Sequence, residues 1–157
     1  MTINLVFDRL GEMKKFFGKI KESLKKATTP KEGKGKWKFD NGETYDGEWK
    51  NYEIHGHGTY IWKDKGTYTG QWVNGKQHGK GTHKFLDGSI YEGEWKNRKK
   101  HGKGKMTFSK NEIDSGAILI SEYENDAPVG KCKFTFADGS TKEGEHIDGK
   151  YVPKNLN

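Results

Sequence analysis

The sequence is poor in the residues that most globular domains use to build and brace a core. Leu, Ile, Val and Phe make up about 17% of its 157 residues, so the large aliphatic core of a two-layer α/β enzyme is not expected. The single cysteine, Cys132, excludes an internal disulfide and a zinc site built from cysteines. No apolar run reaches the roughly 18 residues that a membrane-spanning helix needs.

The first eight residues also lack a basic stretch followed by an uninterrupted apolar core, which is the pattern of a secretory signal. Together with the low cysteine content, this favours a cytoplasmic protein. The formal net charge is +7, and low aliphatic content with net charge is typical of disordered chains. Disorder is nevertheless not expected, because aromatic residues make up 13% of the chain and each ring can bury a large area.

An internal repeat accounts for these aromatic residues and for many of the 22 glycines. Tyr-Asp-Gly-Glu-Trp at residues 45–49 recurs as Tyr-Thr-Gly-Gln-Trp at 68–72 and as Tyr-Glu-Gly-Glu-Trp at 91–95, a step of 23 residues both times. A Gly-x-Gly pair follows the same step, and His55, His78 and His101 each precede one. The chain is therefore expected to be built from equivalent units.

The later units are degenerate, as terminal repeats often are. Aligning residues 130–132 with 102–104 requires a step of 28, which places an insertion of about five residues near 109–116. In that frame Leu119, Ser121 and Tyr123 take the places of the tyrosine, glycine and tryptophan. One step further, Gly144 and His146 take the places of the glycine and the tryptophan, and Lys142 that of the tyrosine.

Each unit is predicted to be a β-hairpin. Tyr, Gly and Trp at every second position share one strand face, and the intervening acids share the other. Asn-Gly and Asp-Gly at 41–42, 74–75, 87–88, 138–139 and 148–149 are turn signals. The glycine between each tyrosine and tryptophan is expected to leave room for an aromatic ring over the backbone.

The pattern Tyr-x-Gly-Glu-Trp with Gly-x-Gly at a 23-residue step resembles the MORN (membrane occupation and recognition nexus) repeat. The resemblance implies a mainly β fold, a single elongated antiparallel sheet of about five stacked hairpins over residues 37–157, with the last two degenerate. Residues 30–36 are expected to form a linker and the start of the first repeat. Residues 1–29 are expected to form one basic amphipathic helix ahead of the sheet.

The expected helix has apolar residues at three- and four-residue spacing and seven cations against three acids. A sheet with one aromatic face needs a second layer, so we expect this helix to dock on the sheet. Its apolar face with a lysine-rich rim also suits an anionic membrane surface, which is the alternative.

No constellation of catalytic, cofactor-binding or metal-binding residues emerges. His55, His78 and His101 are explained by the repeat as equivalent turn positions, and Cys132 stands in a glycine position as a small packed thiol. The recurring acids Glu48, Glu94, Glu122 and Glu145 are expected to form charge pairs with lysines across a solvated face. We therefore expect a protein that is not an enzyme and needs no cofactor.

The predicted function is an interaction or scaffolding module in which an aromatic groove binds a protein segment, with the leading helix docked on the sheet. Two alternatives remain open: peripheral binding to anionic, phosphoinositide-type membranes, and single-stranded nucleic-acid binding, which the near balance of charge in the repeats disfavours. Self-association into a homodimer is a further option. The residues predicted to form the groove are Trp37, Tyr45, Trp49, Tyr60, Trp62, Tyr68, Trp72, Tyr91 and Trp95. The residues that would contact an anionic membrane are Lys14, Lys15, Lys19, Lys21, Lys25, Lys26, Arg98, Lys99 and Lys100.

Overall fold

The computed structural model describes residues 14–15, 18–19, 29–109 and 116–154. These form one open antiparallel sheet whose eleven strands lie in sequence order, which confirms a mainly β fold with a single sheet. The predicted helix over 1–29 lies outside the described residues except for 14–15, 18–19 and 29, too few to define an element. The strands are β1 (Glu32–Lys38), β2 (Thr44–Lys50), β3 (Glu53–Trp62), β4 (Gly66–Val73), β5 (Lys76–Lys84), β6 (Ile90–Lys96), β7 (Lys99–Thr107), β8 (Ile118–Glu124), β9 (Ala127–Thr135), β10 (Thr141–Ile147) and β11 (Lys150–Pro153).

One long side of the sheet carries two-residue turns at 51–52, 74–75, 97–98, 125–126 and 148–149. Both residues of each turn have positive φ, as a type I′ turn requires. These turns are also bonded to the strands that follow the preceding turn: Gly75 N donates to Ile54 O in β3 at 2.8 Å, and Arg98 N donates to Gln77 O in β5 at 3.0 Å. We call this row the short-turn side.

The other long side carries longer turns. At residues 39–43, 85–89 and 136–140 a backbone amide donates across the turn, as from Phe39 N to Glu43 O at 2.8 Å. The predicted insertion lies on this side, between β7 and β8, and those strands still pair in register through Gly104 and Ser121. The turn signals at 41–42, 87–88 and 138–139 are therefore confirmed, as are those at 74–75 and 148–149 on the short-turn side.

A β-bulge recurs in the hairpins. The register shifts between Gly47 and Glu48 where β2 pairs with β3, and the equivalent shift appears in three further hairpins. The first glycine of the pair on the returning strand, such as Gly56 with φ 58°, lies at this shift and needs the left-handed conformation. His55, His78 and His101, which we expected at turn positions, lie instead within β3, β5 and β7, because the bulge rather than the turn occupies this part of the repeat.

The core lies on one face of the sheet. Tyr45, Tyr68 and Tyr91 are fully buried, and Trp49, Trp72 and Trp95 nearly so. The three tyrosines and three tryptophans share one hydrophobic cluster, which Tyr123 joins in the degenerate unit. The predicted common face of tyrosine, glycine and tryptophan is therefore confirmed, and so is the substitution of Tyr123 for a tryptophan.

Candidate binding groove

Each core tyrosine lies flat over two glycines. A Cβ atom on Gly47 or Gly58 would collide with the Tyr45 ring, and Gly70 and Gly81 have the same relation to Tyr68. The Tyr45 hydroxyl donates to Glu48 O at 3.0 Å or His55 O at 3.1 Å. Burial raises the pKa of Tyr45 well above its usual value. The expected room for a ring above the glycine is confirmed, and the ring comes from the same repeat.

The tryptophans tie successive repeats together. Trp49 Nε1 donates to Gly35 O at 3.0 Å, Trp72 Nε1 to Gly58 O at 3.1 Å, and Trp95 Nε1 to Gly81 O at 3.2 Å. Each tryptophan ring also meets tyrosine rings edge to face, a favoured arrangement for aromatic pairs. The hydroxyl and Nε1 groups of these buried rings all donate to backbone carbonyls of the same sheet. The rings therefore form a rigid floor beneath anything that binds on this face.

A second set of rings lies beside this floor and is largely half-exposed. The sequence of contacts runs from Phe39 to Tyr60 (5.5 Å between ring centroids), Trp62 (4.5 Å), His83 (5.4 Å) and Phe85 (4.3 Å), with interplanar angles of 30° or less. We call these five residues the aromatic stack. They come from two columns of the repeat, because Tyr60 and His83, like Trp62 and Phe85, are 23 residues apart.

Four members of the aromatic stack, Tyr60, Trp62, His83 and Phe85, border a groove of about 520 Å³. Its apolar lining includes Ile54, Trp72 and Trp95. Its polar lining includes Gln77, Lys65, Arg98, Lys100 and Asp126. The groove is therefore an aromatic trough with Arg98 and Lys100 near the short-turn side and Lys65 near the other side of the sheet.

The nine predicted groove residues occupy three kinds of place. Tyr60, Trp62, Trp72 and Trp95 line the groove. Tyr45, Trp49, Tyr68 and Tyr91 lie in the buried floor, while Trp37 lies in β1, partly buried against that floor. Among the groove residues, sequence reasoning missed Ile54, Gln77, His83 and Phe85, all of which lie in columns that the 23-residue step defines.

The residues predicted to contact a membrane also differ in position. Lys14, Lys15, Lys19, Arg98 and Lys99 are exposed, whereas Lys21, Lys25 and Lys26 lie outside the described residues. Lys100 is half-buried and its Nζ lies over the rings of Tyr91 and Tyr123, 5.6 and 5.4 Å from their centroids. Burial lowers the pKa of Lys100, while the Asp126 carboxylate acts in the opposite direction. Lys100 thus faces the groove and not the open surface.

The opposite face of the sheet is mostly polar. Lys105 Nζ lies 2.6 Å from a Glu92 carboxylate oxygen, and Lys34 pairs with Glu48 at 4.0 Å. The expected charge pairing across strands is therefore present at two places, and at Lys105 the partner is Glu92 and not Glu94. Exposed aliphatic residues on this face include Ile61 and Val73.

The described residues hold no group of three or more His, Cys, Asp or Glu side chains able to bind a metal ion. Cys132 is buried, and burial raises the pKa of its thiol. Within the same described part of the chain, no helix is long and apolar enough to cross a bilayer.

A protein-family model of the MORN repeat matches this chain five times, at residues 30–44, 45–67, 68–90, 91–112 and 120–141. These matches cover more than half of the chain and follow the 23-residue step over the three units at 45–67, 68–90 and 91–112. A comparison with curated protein sequences found no match.

Proposed function

This chain belongs to the MORN repeat family, and we propose that it is a non-enzymatic interaction module whose groove binds an amphipathic protein segment. The aromatic stack is the observation that carries the proposal. Its rings are held in place by the buried floor, and yet Phe39, Tyr60, Trp62 and Phe85 keep part of their surface open. A contiguous apolar surface of this kind is typical of a binding site.

An elongated trough suits an extended or helical segment better than a small molecule. Half-exposed rings on a rigid support lose little conformational freedom on binding, so they serve as anchors for apolar side chains. In the resting chain, the leading segment is one occupant of this face. Pro30 supports this part of the proposal, because its Cγ lies only 3.0 Å from the position of a Cβ on Gly35, which shares the aromatic face.

The test measures binding of a fluorescein-labelled amphipathic peptide of about 18 residues, five helical turns with leucine on one side. Two versions carry either glutamate or lysine on the polar side. We expect the full chain to bind at least one of them. Trp62→Ala should weaken binding about thirtyfold, as expected for a central aromatic anchor worth about 2 kcal/mol.

Ile61→Ala is the matched control, since Ile61 is the neighbouring residue of the same strand and is exposed on the opposite face. It should leave binding within twofold of the unmodified chain. Equal loss in both variants, or no binding of either peptide, would contradict the proposal. Binding to phosphatidylserine vesicles without binding to either peptide would favour the membrane function instead.

A further inference from the structure

We infer that the groove contains a carboxylate-binding subsite formed by Gln77, Arg98 and Lys100, and that its occupant is therefore an acidic amphipathic protein segment. The inference rests on the proposed function and narrows it to one class of partner. It draws on the columns of the repeat, on one buried amide, and on the distribution of charge in the groove.

The polar end of the groove comes from a single repeat position. Ile54 pairs with Trp49 across the hairpin, Gln77 with Trp72, and Lys100 with Trp95. The residue opposite the core tryptophan thus carries an aliphatic side chain in one repeat, an amide in the next and an ammonium group in the third. The groove has an apolar end at the earlier repeat and a hydrogen-bonding, cationic end at the later one.

The buried amide of Gln77 is the second observation in favour of a carboxylate-binding subsite. Its side chain lines the groove and is only 6% exposed, and its Nε2 has no hydrogen-bond partner. A buried amide donor without an acceptor is costly, and native structures rarely retain one without a reason. Rotation about the terminal torsion of glutamine is soft, so Nε2 can turn toward an acceptor in the groove. A carboxylate oxygen of a bound segment would supply that acceptor.

The cations that line the groove form no ion pair among the described residues, although the Asp126 carboxylate lies near enough to favour the charged form of Lys100. The two ion pairs among the described residues, Lys34 with Glu48 and Lys105 with Glu92, involve neither Arg98 nor Lys100. Lys65 is a third cation that lines the groove without an ion pair.

The groove lining holds fewer acids than cations. The Asp126 carboxylate, the one acid in the lining, accepts from the backbone amide of Lys100 at 2.8 Å. Glu43, beside the aromatic stack, accepts from the Tyr60 hydroxyl at 2.6 Å. The groove therefore retains a surplus of positive charge next to an apolar floor, and an acidic segment is its electrostatic complement.

The same charge argues against the leading segment as the occupant of this end. Residues 1–30 contain seven cations and three acids, so they would place like charge against Arg98 and Lys100. Like charges in contact oppose association. An acidic partner would instead satisfy Gln77 and both cations at once.

The experiment compares the two fluorescent peptides described above, whose polar sides are glutamate or lysine, on the full chain. The glutamate peptide should bind at least tenfold more tightly, and raising the salt from about 0.05 to 0.5 M should reduce that preference because screening strengthens with ionic strength. Lys100→Gln introduces the residue found at the equivalent position, Gln77, of the preceding repeat. It should weaken binding of the glutamate peptide about tenfold.

Lys99→Gln is the charge-matched control, because it removes the same charge from an exposed side chain in the same hairpin. It should change binding of the glutamate peptide less than twofold. Gln77→Met keeps the shape and removes the amide. It should weaken the glutamate peptide several-fold while leaving the urea midpoint of the free chain unchanged or higher, a result that a purely structural role for Gln77 would not give.

Four results would overturn the inference. If both peptides bind equally and Trp62→Ala weakens both, the groove is a binding site without the carboxylate subsite, and the proposed function survives. If neither peptide binds, the inference and the proposed function are both wrong. If the effects of Lys100→Gln and Lys99→Gln are equal, the glutamate peptide is responding to net charge alone. Binding of phosphatidylserine vesicles that Lys100→Gln weakens, with no preference for the glutamate peptide, would assign the subsite to lipid.

Discussion

Replacing Gly81 by alanine should put a methyl group into the space that the Tyr68 ring occupies. The backbone at Gly81 does not have positive φ, so alanine is acceptable to the backbone itself. The added Cβ, however, would lie 2.5 Å from Cε2 of the Tyr68 ring and closer still to Cζ and the hydroxyl. Tyr68 is fully buried, and the ring has to move for the methyl group to fit.

The cost has two parts. Overpacking a well-packed core costs about 1–3 kcal/mol. The Tyr68 hydroxyl also donates to Gln71 O at 3.1 Å or His78 O at 3.4 Å, and losing a buried hydrogen bond of this kind adds about 1 kcal/mol. We therefore expect Gly81→Ala to lower the free energy of unfolding by about 3 kcal/mol, a large share of the roughly 5–15 kcal/mol of a typical domain.

Gly35→Ala is the control, because Gly35 holds the same repeat position and no tyrosine ring lies over it. The three atoms nearest to its added Cβ would all be side-chain atoms, Pro30 Cγ at 3.0 Å and the other two at 3.7 Å or more. Its cost should be below about 1 kcal/mol. Urea unfolding followed by tryptophan fluorescence compares the two variants, and equal losses of stability would refute the reasoning.

A second substitution tests the mechanism directly. Where the chain has Leu119 in place of the tyrosine, the equivalent glycine position holds Cys132, whose side chain is tolerated. Tyr68→Leu should therefore relieve the collision in Gly81→Ala. The double variant should lose at least about 1 kcal/mol less than the sum of the single losses. Strictly additive losses would show that the ring and the glycine are not coupled.

Two further predictions concern His83 and Arg98. Burial lowers the pKa of His83, so unfolding takes up a proton between that lowered pKa and the ordinary value near 6.5. Stability should therefore fall as the pH drops through this window, and His83→Tyr, the residue of the preceding repeat, should flatten the fall in urea titrations at several pH values. A residual slope belongs to His146, whose pKa burial also lowers. Arg98 has φ 73°, so Arg98→Gly should stabilise the free chain by about 0.5–1 kcal/mol in the same assay and yet weaken the glutamate peptide. A less stable Arg98→Gly chain would contradict this account of the turn.

Sequence periodicity was sufficient to predict the ribbon and its aromatic face. A 23-residue step that returns tyrosine and tryptophan to alternate positions leaves one choice of face, because side chains alternate along a strand. The same step located the degenerate unit, in which Tyr123 joins the core as expected. The repeat therefore predicted a folded core, which the low aliphatic content alone did not.

The repeat alone could not distinguish the two glycines of each pair. In the structure Gly56 has positive φ at the bulge, whereas Gly58 lies beneath the Tyr45 ring. Both appear in sequence as invariant members of one pattern. The turns at Asn51 and Asn125 were missed for a related reason, since Tyr52 and Asp126 adopt positive φ without being glycine.

The candidate site was harder to predict than the fold because its polar residues differ from repeat to repeat. Ile54, Gln77 and Lys100 hold equivalent positions in successive repeats but differ in chemical type. A repeat is recognised from positions that keep one residue type, and this position does not. The sequence therefore predicted the residues of the buried floor, whose tyrosines and tryptophans recur from unit to unit. The variable column beside it became visible only through the paired register of the strands.

The unequal bonding of the two rows of turns limits where this architecture can acquire new parts. On the short-turn side an amide of four of the five turns donates to a carbonyl of the preceding repeat, as Gly75 N does to Ile54 O, so extra residues there would separate adjacent units. The opposite margin has already absorbed a lengthened connection between β7 and β8 without loss of register. Grafted loops or reporter domains should accordingly be accepted along that margin alone.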